Sequence, residues 1–391
     1  MNREDLRGII REMKVFDTHT HLVGNSLAAK DFWEIAHYFW FLQELQAAGY
    51  PKELEKLSED ERIDAFCRAF EATRNTSMNW VVRNIFKDLY GIELSGPKAV
   101  REAIEMVKAT ASQPDWPQEV SHRLSIEKMV VNHEEHVDFQ CLPNRAVWVP
   151  RIDDFLSRWV NNIEKSEDQR AAAVEVEQQI KKLFSEYRKK GCPGIMTTLP
   201  RFNAKTYGTA NELHKQGNTR DDIVVYLLNI IGREATNNKF FVQFFLGMED
   251  GWSSTRIPAN DPERIIKLYG LFERYDCDYE LVVASEINNL DVVQAAHILT
   301  NVYVGGLWWY NFRASTYMDC MQKRFEALPP CKSSLVVSDA RCIEWCYGKI
   351  LLIKQLVADF LYDQIQKGWI DISDGLRVAQ EWLYESAARR Y

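Results

Sequence analysis

Two histidines near the start of the sequence have the spacing of half a metal site. They belong to the stretch Asp17-Thr18-His19-Thr20-His21, which directly follows a short apolar run. In an extended backbone, side chains two residues apart point to the same face, so the imidazoles of His19 and His21 project together. Imidazole nitrogens are common ligands of divalent ions such as Zn²⁺. The spacing therefore predicts two ligands of a divalent metal.

A carboxylate and a guanidinium lie close together in the stretch Ser338-Asp339-Ala340-Arg341. An Asp carboxylate can complete a metal ligand set or act as a general base. Alternatively, Asp339 can cap the helix that is predicted to follow, which would be a purely structural role. Arg341 can bind an anionic substrate through paired hydrogen bonds. Together with the two histidines, these side chains favour a catalytic site over a structural turn.

Short apolar runs that alternate with helical patterns are expected to position these residues. The sequence contains eight such runs with the composition of strands: Lys14–Asp17, Lys128–Asn132, Ala146–Val149, Gly194–Leu199, Phe240–Leu246, Glu280–Ser285, Val302–Leu307 and Ser334–Ser338. Helical spacing covers 221–237, 261–275, 289–300, 315–327, 343–366 and 374–389. Buried parallel strands separated by helices are typical of α/β proteins, and this number of units fits a (β/α)8 TIM-type barrel. An open, doubly wound sheet is the competing α/β architecture.

A closed barrel would bring the two ends of the sequence together. Its first and eighth strands are neighbours, and the carboxyl ends of its strands line the active site. Asp339 is therefore expected beside His19 and His21. The region between the first two runs is too long for a loop of a compact domain, and helical spacing occurs over 29–48, 60–89 and 97–112. We expect a barrel domain formed by 1–24 and 126–391, and a helical insertion formed by 25–125.

Composition excludes several classes of protein. The 391 residues carry 48 basic and 56 acidic side chains, a net charge of −8, which argues against nucleic acid as a partner. No secretory signal and no apolar stretch long enough to span a membrane are visible, and the eight cysteines are scattered. We expect a cytoplasmic protein with reduced thiols. A homo-oligomer is compatible with the sequence, which does not specify the oligomeric state.

Five stretches, taken in order, resemble motifs of the uronate isomerase family, a branch of the metal-dependent amidohydrolase superfamily. They are Asp17-Thr18-His19-Thr20-His21-Leu22, His37-Tyr38 with Trp40, Val149-Pro150-Arg151 with Asp153, Gly306-Leu307-Trp308-Trp309-Tyr310-Asn311, and Ser338-Asp339-Ala340-Arg341. The arginine motif is two residues shorter before its Arg than the family pattern. The double-Trp and Asp-x-Arg segments are the more specific matches, and the resemblance extends over nearly the whole chain.

The resemblance implies an aldose–ketose isomerase that acts on a small sugar acid, converting glucuronate to fructuronate and galacturonate to tagaturonate. It implies that His19, His21 and Asp339 hold a divalent metal, for which zinc is the expected ion. Isomerisation moves a proton between C2 and C1 through an enediol, so it needs a base and a group that stabilises an oxyanion. Asp339 and a hydroxide on the metal are both candidates for the base.

The resemblance also implies roles for side chains away from the metal. Arg151 and Arg341 would bind the carboxylate and hydroxyls of the substrate. His37 and Tyr38 would reach the site from the helical insertion and take part in catalysis.

Three further residues are candidates for substrate binding. Trp308 and Trp309 follow a predicted strand, where indole rings can wall a sugar pocket or pack in the core. Arg256, in the region after the fifth run, is either a ligand for the substrate carboxylate or part of a surface ion pair.

One position departs from the family pattern. Members carry a further histidine on the fifth strand, where this chain has Phe245. A phenyl ring cannot bind a metal, so three protein ligands would remain, a number that catalytic zinc sites use. Two other functions stay open. One is a superfamily hydrolase or decarboxylase that acts on another sugar acid, and the other is a relative that binds a sugar acid without catalysis.

Overall fold

The computed structural model describes residues 1–24, 26–136, 138–199, 213–247, 263–284, 289–308 and 312–391. Its strands form two parallel sheets, with the orders β1-β2-β3 and β4-β5-β6-β7. The strands are β1 Val15–Thr20, β2 Ile126–Val131, β3 Ala146–Trp148, β4 Gly194–Thr198, β5 Phe241–Leu246, β6 Tyr279–Val283 and β7 Val302–Leu307. Most of their residues are buried, as expected for strands that are covered on both faces. The predicted α/β class with parallel strands is confirmed.

The eighth predicted run, Ser334–Ser338, does not form a regular strand. It lies between β7 and β1, and isolated parallel bridges join Val304 to Ser333 and Thr20 to Ala340. The physical reason lies in its hydrogen bonds, because the backbone N–H of Ser338 donates to the Asp17 side chain at 2.9 Å instead of to a strand carbonyl. The prediction of a strand here is therefore wrong, although the segment has the predicted neighbours.

Helices follow most of the strands. They are α1 Arg3–Glu12, α2 Phe32–Ala36, α3 Phe39–Ala47, α4 Glu59–Ala72, α5 Ser77–Tyr90, α6 Pro97–Ala111, α7 Trp116–His122, α8 Asp153–Glu164, α9 Gln169–Lys189, α10 Arg220–Asn238, α11 Arg264–Arg274, α12 Asn289–Ile298, α13 Ala314–Ala327, α14 Ile343–Gln366, α15 Ile372–Gln380 and α16 Ser386–Ala388. A π-helical turn, Glu381–Glu385, precedes α16. In the described part of the chain, no helix is both long enough and apolar enough to cross a membrane.

The region between β1 and β2 contains α2 to α7, in agreement with the helical spacing of the sequence. A buried carboxylate links these helices to α14. Glu344 Oε1 accepts hydrogen bonds from Trp116 Nε1 at 2.8 Å and Tyr90 Oη at 3.2 Å, and its Oε2 accepts one from the backbone N–H of Ala29 at 2.9 Å. The division into domains at residues 25 and 125 stays a prediction.

Apolar side chains from different strands meet in a small inner core. This core contains Phe16, Val130, Val149, Met196, Phe241, Phe245, Val282, Ala284, Trp308, Val337 and Ala387. The last residues of the chain close one side of it. The Tyr391 ring packs at 5.1 Å from that of Phe16 and at 4.5 Å from that of Phe241. Strands from both sheets therefore share one inner cluster as well as the outer helix-covered core.

A buried ion pair anchors the chain terminus to β6. Arg390 Nη2 donates to Glu280 Oε2 at 2.8 Å, and their side chains are 3% and 0% exposed. Tyr391 Oη donates to the other oxygen of Glu280 at 3.1 Å. Removing the cation alone would leave a buried carboxylate without its counter-charge, which is a costly state.

We expect Arg390→Met to lower the free energy of unfolding by about 3–5 kcal/mol, because Glu280 stays buried without its counter-charge. Urea denaturation of the two proteins measures the difference. The matched control is Arg389→Met, since Arg389 is 49% exposed and pairs with Glu381 at the surface. A surface pair contributes about 1 kcal/mol or less. Equal losses for both variants would contradict the prediction.

Candidate metal centre

The three predicted metal ligands lie close together, although His19 and His21 are near the start of the sequence and Asp339 is near its end. His19 lies within β1, His21 follows its last residue, and their ring centroids are 4.9 Å apart. Asp339 Oδ1 lies 3.2 Å from His19 Nε2 and 3.0 Å from His21 Nε2. The three potential ligand atoms all lie within 4.8 Å of one another. The two contacts of Oδ1 are close to the spacing of neighbouring ligands around one tetrahedral ion, so the three side chains could hold an ion together.

Asn132 determines which nitrogen of His19 faces Asp339. The Asn132 Nδ2 donates to the carbonyl of Val149 at 2.9 Å, so its Oδ1 faces the ring of His19. His19 Nδ1 donates to this Oδ1 in a short hydrogen bond. In a neutral imidazole the other nitrogen, Nε2, then carries the lone pair. Burial lowers the pKa of His19, which favours the neutral ring.

Two electron-pair acceptors therefore face each other across 3.2 Å, His19 Nε2 and Asp339 Oδ1. Such a contact needs a proton or a cation between the atoms. Burial raises the pKa of Asp339, but its contacts with His19 and His21 and the positive charge of Lys349 outweigh burial and keep the pKa well below its ordinary value. An ionised carboxylate and two imidazoles are a donor set that suits Zn²⁺.

The backbone at Asp339 has an unusual conformation, which directs its carboxylate toward His19 and His21. Its φ is 52°, in the left-handed region, which Asp tolerates better than most residues. Its N–H donates to the carbonyl of His19 at 3.0 Å. Asp339 does not cap the next helix, because α14 has Cys342 at its N-cap position and no side-chain capping bond. The structural alternative for Asp339 is therefore wrong.

Tyr38 reaches Asp339 from the junction between α2 and α3. Its Oη is 3.1 Å from the backbone oxygen of Asp339 and 3.3 Å from Oδ2. Burial and the negative charge of Asp339 raise the pKa of Tyr38 well above its ordinary value, so the hydroxyl stays protonated. The Lys349 Nζ donates to the same Oη at 2.7 Å. Lys349 and Asn132 are site residues that sequence analysis did not find.

The neighbouring His37 faces the helical region. Its Nε2 lies 3.0 Å from Tyr50 Oη, and its ring stacks on that of Trp33 with centroids 5.0 Å apart. Burial, together with the positive charge of Arg62, lowers the pKa of His37 to about 4. Within the described part of the chain, the contacts of His37 do not include the three potential metal ligands. Its predicted catalytic role stays a prediction.

The two predicted substrate arginines differ in their surroundings. Arg151 pairs with Asp153 at 2.6 Å, and its Nη2 also lies 3.3 Å from Thr198 Oγ1, at the end of β4. Arg341 is exposed and follows Asp339 by two residues. Among the described residues, none is hydrogen-bonded to its guanidinium. Arg341 therefore has donors available for an anionic ligand, whereas the charge of Arg151 is largely compensated.

Aromatic side chains cover one side of His19. The Phe245 ring centroid lies 4.6 Å from that of His19 and 4.6 Å from that of Trp308. Trp308 is 5% exposed and belongs to the inner core, which favours the packing alternative for this residue. Arg256 and Trp309 lie outside the described residues, so their predicted roles stay predictions.

The fold is one that is found in solved uronate and glucuronate isomerases. The chain is similar to the uronate isomerase from Thermotoga maritima, with a TM-score of 0.80 and 14% identity over 100% of this chain and 97% of that one. For the uronate isomerase from Bacillus halodurans C-125 the TM-score is 0.76, at 15% identity over 99% and 95% of the two chains. The glucuronate isomerase from Caulobacter crescentus gives 0.78, at 12% identity over 100% and 93%.

At these identities the similarity establishes the fold over the whole chain. No protein-family model matches the sequence, and a search of curated proteins found no match to it.

We expect Asn132→Ala to weaken the binding of Zn²⁺ or Co²⁺ roughly 10–100-fold, because the His19 ring loses the partner that orients it and assigns its tautomer. Isothermal titration with each metal measures the change. Asn229→Ala is the matched control, since Asn229 is also buried, at 4% exposure, but bonds Arg274 and Tyr275 instead. Unchanged metal affinity in Asn132→Ala would contradict the orienting role.

Proposed function

We propose that this protein is a metal-dependent uronate isomerase that interconverts an aldohexuronate and a ketohexuronate. The observation that carries the proposal is the contact of two acceptor atoms, His19 Nε2 and Asp339 Oδ1, with His21 Nε2 beside them. The fold shared with solved uronate isomerases supports the same reaction. Glucuronate and galacturonate are the proposed substrates.

The residues at the site fit a divalent metal. His19, His21 and Asp339 would hold it, and zinc is the proposed ion because two nitrogens and one carboxylate oxygen are a common zinc ligand set. A bound divalent cation supplies Lewis acidity that polarises the substrate oxygens and stabilises an enediolate. Three protein ligands leave a coordination position for the substrate, as catalytic zinc sites require.

We also propose that the two sheets and the segment 333–340 form one closed (β/α)8 barrel. The segment is bonded to both β7 and β1, and a further parallel bridge joins Arg151, just after β3, to Met196 in β4. The inner core, with contributions from both sheets, is the kind of cluster that fills a barrel. Helices α2 to α7 would then be an insertion after the first strand.

Within this site each side chain has a defined task. Arg341 would bind the substrate carboxylate, and Arg151, held by Asp153, would bind hydroxyls. Asp339 is kept ionised and is the proposed acceptor of the C2 proton. Tyr38 stays protonated and donates at Oδ2 of Asp339, where it stabilises the ionised carboxylate.

His37 would contribute to catalysis through the position of Tyr38. The hydrogen bond of His37 to Tyr50 fixes the α2–α3 junction, from which Tyr38 reaches the metal ligands.

The eight cysteines are all free thiols, as is usual in the reducing cytoplasm, where sugar acids would be the small-molecule partners.

We expect the purified protein to isomerise glucuronate or galacturonate, and Asp339→Asn to lower kcat by at least about 100-fold, since the proposed base and a metal ligand are altered together. A coupled dehydrogenase assay that detects the ketohexuronate measures the activity. Chelation should abolish turnover and Zn²⁺ should restore it.

The control for this variant is Asp319→Asn, whose carboxylate is 49% exposed and pairs with Lys323 at the surface. Isomerase activity that persists after metal removal would contradict the proposed mechanism. Metal binding without isomerase activity would instead favour the hydrolase or decarboxylase. Failure to bind metal would favour the non-catalytic relative.

We expect Arg341→Met to raise KM for the uronate by roughly 10–100-fold, because a charge-assisted hydrogen-bonded pair contributes about 1.5–3 kcal/mol. Steady-state kinetics at fixed metal concentration measures KM. Arg377→Met is the control, since Arg377 is 64% exposed and pairs with Asp374. An unchanged KM would show that Arg341 does not bind the substrate carboxylate.

A further inference from the structure

Helix α14 carries two buried lysines, Lys349 and Lys354, each 2% exposed. A buried ammonium group is costly unless acceptors surround it. Lys354 Nζ donates to three backbone carbonyls, those of Arg11 at 2.6 Å, Met13 at 2.6 Å and Leu124 at 2.7 Å. Lys354 therefore links the segment before β1 and the segment before β2 to α14. Lys349 has quite different partners, which belong to the candidate metal centre.

The Lys349 ammonium bonds the residue before Asp339 and also the tyrosine that contacts Asp339. Its Nζ donates to the carbonyl of Ser338 at 2.6 Å and to Tyr38 Oη at 2.7 Å. The rings of Tyr38 and Phe312 cover the ammonium, with centroids 4.5 Å and 5.0 Å from Nζ. Burial lowers the pKa of Lys349 to about 8, while the negative charges of Asp339 and Asp17 oppose the shift. The ammonium form therefore predominates at neutral pH.

The chemistry of the ammonium group gives the hydrogen bonds a direction. An ammonium has donors and no acceptor, so Tyr38 Oη must accept from Lys349. The hydroxyl proton of Tyr38 is then free to point to Asp339, whose Oδ2 lies 3.3 Å away and whose backbone oxygen lies 3.1 Å away. With Oδ2 bonded to Tyr38, Oδ1 is the oxygen that faces the imidazoles.

The bond to Ser338 constrains the backbone at the same point. Ser338 directly precedes Asp339, whose φ of 52° is an uncommon conformation for a residue other than glycine. Strained conformations persist where the surrounding structure holds them in place. Lys349 bonds the residue before the strained position, and Tyr38 bonds the strained residue itself.

We propose that Lys349 is a positioning residue that acts through Tyr38 and the Ser338 carbonyl to hold Asp339 with Oδ1 toward His19 and His21. The inference rests on the proposed metal centre and deepens it. Lys349 does not touch the proposed metal or substrate. Its positive charge alone would weaken the binding of a cation at Asp339, so a positioning role predicts an effect of the opposite sign.

The test compares Lys349→Met with Lys354→Met by Co²⁺ titration. Co²⁺ substitutes for Zn²⁺, and its visible absorption spectrum reports the geometry of its ligands. We expect Lys349→Met to weaken Co²⁺ binding roughly tenfold and to change the spectrum, as loss of outer-shell partners does. Lys354→Met, which removes an equally buried ammonium from the same helix, should leave both unchanged. Unchanged or tighter binding in Lys349→Met would overturn the proposal.

A double-mutant cycle tests the route through Tyr38. We expect Tyr38→Phe to weaken Co²⁺ binding, and Lys349→Met combined with Tyr38→Phe to weaken it by less than the product of the two separate factors. Independent effects that multiply in full would show that Lys349 does not act through Tyr38. If Lys349→Met does not fold, Lys349→Gln replaces it, because its amide keeps N–H donors and should retain more than half of the spectral signature.

A crystal structure of the Lys349 variant without metal separates this inference from the proposed function. We expect Asp339 Oδ1 to leave its position 3.0 Å from His21 Nε2. An Asp339 carboxylate that stays in place overturns the inference, whatever the protein catalyses. Metal binding that depends on Lys349 in a protein without isomerase activity would contradict the proposed function and support the positioning role.

Discussion

The arrangement of the site depends on the contact between β1 and the segment 333–340. The N–H of Thr18 donates to the carbonyl of Val336 at 3.0 Å, and the N–H of His21 donates to that of Ala340 at 2.8 Å. Between these two hydrogen bonds, the Asp339 carboxylate has to lie against the imidazoles of His19 and His21, whose positions depend on β1. A regular strand would direct the Asp339 side chain according to the alternation of the pleat. The left-handed turn at Asp339 provides another direction. It is held by the bond that the Asp339 N–H donates to the His19 carbonyl, by the hydroxyl of Tyr38 and, through Ser338, by Lys349.

Buried ionisable groups around this contact have a cost in stability. Burial raises the pKa of Asp17 to about 6, although hydrogen bonds from Ser338 and His19 oppose the shift. One oxygen of its carboxylate is buried, and no described residue is hydrogen-bonded to it. Lys349 lies nearby with a lowered pKa. Groups that break the usual rules of burial tend to collect where function requires them. The concentration of such groups next to the candidate ligands is what a functional site at this contact predicts.

The sequence predicts those features that depend on local pattern. Apolar runs predict the strands β1 to β7 to within a few residues. The helical spacing over 343–366 coincides with the bounds of α14, Ile343–Gln366. The spacing of His19 and His21 predicts that both face one point. By contrast, Asn132 and Lys349 acquire their roles through tertiary contacts with Val149, Ser338 and Tyr38, and no local pattern encodes such contacts. A lysine within the apolar helix α14 was the available signal.

Phe245 shows how a departure from a motif can still fit the chemistry of the site. The phenyl ring supplies no ligand, but it packs on the His19 ring and, with Trp308, keeps that side of the imidazole dry. Desolvation is the main cause of the lowered pKa of His19, so apolar neighbours help to keep the imidazole neutral and its Nε2 lone pair available. Apolar surroundings also strengthen the attraction between a bound cation and the Asp339 carboxylate, because the local dielectric constant is lower than in water. In this chain, the side chain at the end of β5 therefore acts on the candidate metal centre through the solvation of a ligand rather than through a bond of its own.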